Sequence, residues 1–276
     1  MLTRSRPSDS KTRMRPPGAN GSGAEGTGVS IRGVSQSFGF LRALESVGLE
    51  AAPAEVLGIV GPSGCGKTTL LELVAGLREP DSGAISIGGA VAAEDRLRRC
   101  AYMPQRDLLL PWLNAIDNAG LAARVAGASR VEARRRTAPL FERLGLGGFE
   151  LARPEELSGG MRQRVAFLRT LIAGRPLLLL DEPFASLDAI TRAEMQGWLA
   201  GVLAGDRHTV LLVTHDVEEA LYLSDRVAVL TPRPGRVAVE LEVPAPREGD
   251  RAAAVTSAEF AELRQRALRA LAGGAG

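Results

Sequence analysis

Apolar positions recur with two spacings along this chain, and the switch between them outlines its architecture. Ser30–Phe38 and Ala43–Leu49 read as strands, and Glu55–Val60 is a short apolar strand leading into a glycine-rich segment. Lys67–Ala75 then reads as a helix with Leu70, Leu71 and Val74 on its inner side. Ala84–Ile87 and Cys100–Met103 are further short strands. Between about Leu110 and Leu157 the pattern becomes helical, at Asn114–Val125, at Arg130–Ala138 and in a third segment opened by Pro139, since proline suits a first helical turn. Strands and helices alternate again afterwards: strand Leu177–Asp181, helix Thr191–Leu203, strand Thr209–Thr214, helix Val217–Leu223. Arg226–Leu230 and Arg236–Leu241 read as closing strands and Ser257–Leu271 as a last amphipathic helix, with no internal repeat. This order predicts an α/β fold: a mainly parallel core sheet, an antiparallel β layer from residues 30–50 and 84–87, and a helical subdomain.

Composition divides the chain. Residues 1–28 are rich in Pro, Gly, Ser and Arg and nearly free of large apolar residues, so they are expected to be a disordered basic extension, either an interaction tail or dispensable. The folded domain is expected over 29–243, with its helical subdomain at about 108–158, and 244–276 as a C-terminal linker and amphipathic helix. Aromatics make up only 4% of the chain, so the core must rest on Leu, Val and Ala. The extension carries five basic and two acidic residues, a net +3, which leaves the rest at −1 of the total +2. A basic stripe on the folded domain is therefore not expected, and neither is a nucleic-acid partner. Cys65 and Cys100 make no disulfide framework, which fits a reducing compartment. No apolar core follows the basic N-terminal residues as in a signal peptide, and no run approaches the roughly 18–20 apolar residues of a membrane span.

Three segments carry chemistry. Gly61-Pro62-Ser63-Gly64-Cys65-Gly66-Lys67-Thr68 follows an apolar strand and opens a helix, the setting of a Walker A phosphate loop. Glycines let backbone N–H groups wrap phosphates, Lys67 is expected at the β- and γ-phosphates and the Thr68 hydroxyl on Mg2+; these residues and Thr69 form the expected ATP contacts. The apolar run Leu177–Leu180 ends in Asp181 and Glu182, a Walker B arrangement with Asp181 at the metal and Glu182 holding the attacking water as general base. Ser158-Gly159-Gly160 caps a helix whose Met161, Val165, Leu168 and Ile172 form an inward stripe, which frees the helix N-terminus to meet an anion.

On these segments the chain resembles the nucleotide-binding subunits of ATP-binding-cassette transporters from about residue 30 onward. Leu157–Gly160 matches the family signature, Ser186-Leu187-Asp188 its D-loop, Thr214-His215-Asp216 its switch-histidine loop, Gln105 its Q-loop glutamine, and Phe38 the aromatic that stacks on adenine. The resemblance implies two copies paired head to tail, with Ser158, Gly159 and Gly160 of one capping the γ-phosphate held by Lys67 of the other. It implies that His215 contacts that phosphate and that Gln105 joins the Mg2+ and water shell. It further implies integral membrane permease subunits as partners, an external solute-binding protein acting indirectly, and a peripheral place on the cytoplasmic face of the cell membrane. The run Leu108-Leu109-Leu110-Pro111-Trp112 resembles importers of the nitrate/sulfonate/taurine type. A thiamine-precursor importer, for instance of hydroxymethylpyrimidine, and a soluble non-transport cassette are the alternatives. Leu109, Leu110 and Trp112 either line the groove for a permease helix or fill the helical subdomain. Ala54, Pro104 and Arg106 depart from the family pattern, the last two beside the coupling region.

Overall fold

The computed structural model describes residues 27–185, 187–205, 208–244 and 251–273. The expected disordered extension therefore lies, up to residue 26, outside the described residues, as does Ser186.

Strands β1 (Val29–Phe38), β2 (Leu41–Ala51) and β4 (Ser82–Ile87) form an antiparallel sheet in the order β2-β1-β4. The core sheet runs β5-β6-β7-β3-β8-β9, built from β3 (Val56–Val60), β5 (Cys100–Met103), β6 (Leu177–Asp181), β7 (Thr209–Thr214), β8 (Arg226–Leu230) and β9 (Val237–Glu242). Every pairing in it is parallel except β8 with β9. The unbroken apolar runs of β3, β6 and β7 are explained by cover on both faces. Leu177 and Leu179 face one apolar cluster, shared with the antiparallel sheet and with α1 (Lys67–Ala75). Leu178 and Leu180 face the other, shared with the helices α3 (Ala115–Ala119), α5 (Arg130–Arg143), α6 (Gly159–Ile172), α7 (Ala189–Gly205) and α8 (Val217–Leu223). Helix α1 lies between the two sheets, so Leu70, Leu71, Leu73 and Val74 are all fully buried.

Three details differ from the sequence expectation. A short helix α2 (Ala93–Arg99) precedes β5; its amphipathic signal is hidden because its buried residue is Arg96, 2% exposed, which donates to the Leu73 carbonyl and pairs with Glu79 at 3.1 Å. The helix expected at Asn114–Val125 is broken at Gly120 into α3 and α4 (Leu121–Val125). A Cβ at Gly120 would sit 3.3 Å from that of Ala133, so α5 packs tightly against the break. Pro139 does not open a new helix but lies inside α5. The ring removes one N–H bond, to the carbonyl of exposed Arg135, and costs about 3 kcal/mol. Burial of Phe141 just beyond it returns about 1.5–3 kcal/mol, and Leu144 and Leu146 are buried beside it. The C-terminal segment supplies α9 (Arg251–Val255) and α10 (Ala258–Gly273), the latter burying Phe260, Leu263 and Ala267 against the core.

Candidate active site

Parallel register gathers the chemistry. Val60 pairs with Thr214, Asp181 with Val213, and Met103 with Leu180. The chain segments leaving β3, β7, β6 and β5 therefore emerge side by side at the carboxyl edge of the sheet, where such folds bind ligands.

The loop 61–66 leaves β3 and turns into α1 through Gly66, whose φ of 107° favours glycine. A Cβ there would sit 2.6 Å from Leu44 Cδ2, and one at Gly61 2.7 Å from Cys65 Sγ, so neither position accepts a larger residue. No side chain caps α1 and its first turn holds no acid, which leaves the positive helix end open to an anion. Lys67 is 5% exposed, and its ammonium donates to the carbonyls of Gly61 at 2.7 Å and Pro62 at 3.1 Å. These contacts hold the charge at the loop mouth and can be exchanged for phosphate oxygens. Arg233 adds a second cation, donating through Nε and Nη2 to the Gly64 carbonyl at 3.0 and 2.9 Å.

Asp181 ends β6 at 1% exposure, and its Oδ1 is buried with no hydrogen-bond partner among the described residues. Burial raises its pKa, with the charge of Glu182 adding to the rise, while the hydroxyls of Thr68 and Tyr102 pull it down. The Tyr102 hydroxyl lies 3.5 Å from Oδ2, and burial together with that carboxylate pushes the phenol's own pKa up. A threonine hydroxyl beside an orphaned buried carboxylate oxygen is a hard oxygen donor set, and it fits Mg2+.

The next residue, Glu182, takes a φ of +48° while its N–H donates to the Val213 carbonyl at 2.8 Å. That backbone turn aims the carboxylate across the sheet edge. Gln105 Nε2 donates to its Oε2 at 3.1 Å, and His215 Nδ1 meets the same oxygen at 3.1 Å. Gln105 and His215, 77 and 33 positions from Glu182, thus meet on one of its oxygens. Gln105 is engaged with Glu182 here and, among the described residues, makes no hydrogen bond to Thr68 or Asp181. Asp216 caps α8 by accepting from the N–H groups of Glu218 and Glu219, which stations His215 immediately before the helix.

Ser158 caps α6, its Oγ accepting from Met161 N at 3.2 Å. Ser158 and Gly159 are exposed, and among the described residues no hydrogen bond joins residues 158–160 to 61–69. Asp188 caps α7 through the N–H groups of Ile190 and Thr191. Phe38 is 41% exposed, with the Arg78 guanidinium 5.3 Å from its ring centre.

The Leu-Leu-Pro-Trp run is unevenly buried. Leu109 packs on the core, whereas Trp112 is 67% exposed and lines a groove of about 440 Å³ with Leu113, Ile116, Leu121 and Arg124. Asn118, fully buried, braces this run by donating to the Leu110, Leu113 and Asn114 carbonyls and accepting from Leu110 N. Asp117 under the groove is held far below the usual carboxylate range by Arg134 and Arg130. Sequence reasoning missed Tyr102, Arg233, Asn118 and Asp117. Tyr102 alone left a signal, as a polar tip at the end of a core strand.

The family described as ABC transporter matches residues 44–185. The taurine import ATP-binding protein TauB of Chromobacterium violaceum is 42% identical over 230 residues, 82% of this chain and 88% of its own length. The formylaminopyrimidine import ATP-binding protein ThiZ of Halalkalibacterium halodurans is 46% identical over 190 residues, 69% of this chain and 74% of its own. The dimeric post-hydrolysis state of the ATP-binding cassette MJ0796, bound to ADP and Pi, superposes with a TM-score of 0.72 at 28% identity, over 79% of this chain and 99% of that one. With the phosphate loop, the paired acids and the fold in agreement, the chain belongs to the ABC transporter family and is an ATP-binding, ATP-hydrolysing member of it.

Proposed function

We propose that this chain powers import of a small organic anion of the sulfonate and taurine class, as one of two paired ATPase subunits beneath a membrane permease. The observation that carries the reading is the meeting of Gln105 and His215 on the Glu182 carboxylate, at the mouth of the phosphate loop's own sheet edge. Lys67 exchanges the Gly61 and Pro62 carbonyls for the β- and γ-phosphate oxygens of ATP, and the loop N–H groups from Ser63 to Thr69 surround the phosphates. Phe38 offers its exposed ring to adenine. Thr68 and Asp181, with the Gln105 amide, would hold Mg2+, which would supply neutralisation of phosphate charge. Glu182 positions a water whose oxygen attacks the γ-phosphorus and takes the proton that water loses; ADP and inorganic phosphate are the products. His215 and Gln105 orient that carboxylate, and His215 reaches the γ-phosphate.

Exposure of Ser158 and Gly159 at an open helix N-terminus supports their capping the γ-phosphate of a second copy. Exposure of Trp112 on an apolar groove supports a permease helix as its occupant. No helix among the described residues is long and apolar enough to cross a membrane, and docking on the permease would hold the subunit peripherally at the cytoplasmic face. An external solute-binding protein would act through the permease. Similarity to TauB over 82% of the chain supports the cargo class.

The test is transport in proteoliposomes that contain the full-length chain, its genetically neighbouring permease and that operon's binding protein. ATP-dependent uptake of labelled taurine or a short alkanesulfonate is the expected result. Uptake of a pyrimidine and of no sulfonate would overturn the cargo class, and ATP turnover without affinity for any permease would overturn the importer role.

A further inference from the structure

Behind the histidine loop, a buried polar chain runs from helix α8 into the C-terminal helices. Glu219, the third residue of α8, is 3% exposed, and its Oε2 accepts from Gln196 Nε2 at 3.1 Å. Gln196 is fully buried in α7, and its Oε1 accepts from Arg251 Nε at 3.0 Å. The Arg251 guanidinium also lies over the Tyr222 ring, 5.5 Å from its centre, one turn further along α8. A second grip comes from α10, whose Arg264 pairs with Glu218 at 3.1 Å. Glu218, Glu219 and Tyr222 of the seven residues in α8 are thus held, directly or through Gln196, by side chains of the last two helices.

Filling this space would not need a charge. An apolar residue at 219 would occupy the volume without the cost of desolvating a carboxylate, so the polar chain needs another reason. The His215 ring supplies one. It is 59% exposed, so packing does not fix it, and its place depends on the backbone that carries it. That backbone is anchored on one side by β7, whose Thr214 pairs with Val60, and on the other by α8, which at two turns is too short to hold itself. On the other side of His215, the Thr214 hydroxyl accepts from Asp216 N at 3.0 Å.

We propose that Glu219, Gln196 and Arg251 form a positioning chain by which the C-terminal helices hold the His215 loop at Glu182. The inference rests on the reading of His215 given above, and among the described residues none of the three hydrogen-bonds to residues 61–69.

The experiment is steady-state ATP hydrolysis by the full-length chain, with kcat and KM for ATP measured for four variants. His215→Ala tests the underlying reading and should abolish turnover. Glu219→Ala should lower kcat on the order of tenfold, as small misplacements of catalytic groups do, with KM within about twofold. Glu219→Gln keeps an acceptor for Gln196 Nε2 and should restore kcat to within about twofold. Arg251→Ala should act in the same direction by severalfold, and it carries the test should Glu219→Ala fail to fold, because Arg251 is partly exposed. Wild-type turnover in His215→Ala overturns the histidine reading and the chain's purpose with it. Lost turnover in His215→Ala beside wild-type kcat in Glu219→Ala and Arg251→Ala overturns the chain alone. A raised KM that Glu219→Gln fails to rescue overturns it as well, because that marks general damage to the domain.

Discussion

Glu182 and Ala54 take the left-handed backbone conformation that glycine takes at lower cost, with φ of 48° and 63°, and for different reasons. At Glu182 the strained turn carries the carboxylate to Gln105 and His215, so the residue is kept for its side chain. Glu182→Gln should leave ATP affinity within a few-fold and reduce hydrolysis by about 10²-fold or more, read as phosphate release beside nucleotide binding. Ala54 has no such purpose: its N–H donates to Thr209 Oγ1 at 2.9 Å, and its methyl group only adds strain. Ala54→Gly should therefore raise stability by about 1 kcal/mol in urea unfolding. Glu219 supplies a pH signature. Burial pushes its carboxyl up to about 7, with Asp216 raising it further and Thr214, Gln196 and Arg192 opposing. Between the unfolded value near 4.5 and about 7 the native state holds a proton that the unfolded chain has lost, so this group's contribution to stability falls as pH rises through that window. The drop should be roughly 3 kcal/mol in the wild type and absent in Glu219→Gln, with the difference between the two unfolding curves isolating it.

The elements easiest to read in the sequence are those whose two sides are both apolar. Leu177–Asp181 is such a run, and it is the strand β6 residue for residue. The cap Ser158 was equally legible, because a short polar side chain before an apolar stripe has one mechanical use. What was hidden depends on partners distant in sequence. Nothing local to Pro139 says that Phe141 beyond it will be buried, nor to Gly120 that Ala133 will press on it. In the same way Tyr102 and Arg233 join the site only because β5 and the turn after β8 end beside the phosphate loop. The segment after Gln105 was legible by halves: its apolar character is plain, but only the fold separates Leu109 on the core from Trp112 in the groove. Trp112→Ala should accordingly change the unfolding free energy of the isolated subunit by no more than about 0.5 kcal/mol. It should weaken stimulation of hydrolysis by the permease severalfold, measured as the ratio of turnover in the complex to that of the subunit alone.

At the scale of the whole molecule, each chain carries two halves of chemistry that it does not itself bring together. Lys67 is buried at one sheet edge, and Ser158 is exposed on the helical side, with no hydrogen bond joining the two segments among the described residues. In the head-to-tail pair proposed above, the halves of different copies would join, and that arrangement makes an arithmetical prediction. Lys67→Ala removes the phosphate grip from both sites of its homodimer, and Ser158→Arg blocks the cap of both sites in its own. Neither protein should hydrolyse ATP alone. In a mixed dimer the two lesions fall on the same site, and the other site keeps the Lys67 of one copy and the Ser158 of the other. Random pairing of equal amounts makes half the dimers mixed, so the mixture should recover about a quarter of the wild-type rate if the sites turn over independently. Full activity of Ser158→Arg by itself would mean that each copy holds a complete site, and the exposed helix end at Ser158 would then serve something other than the nucleotide.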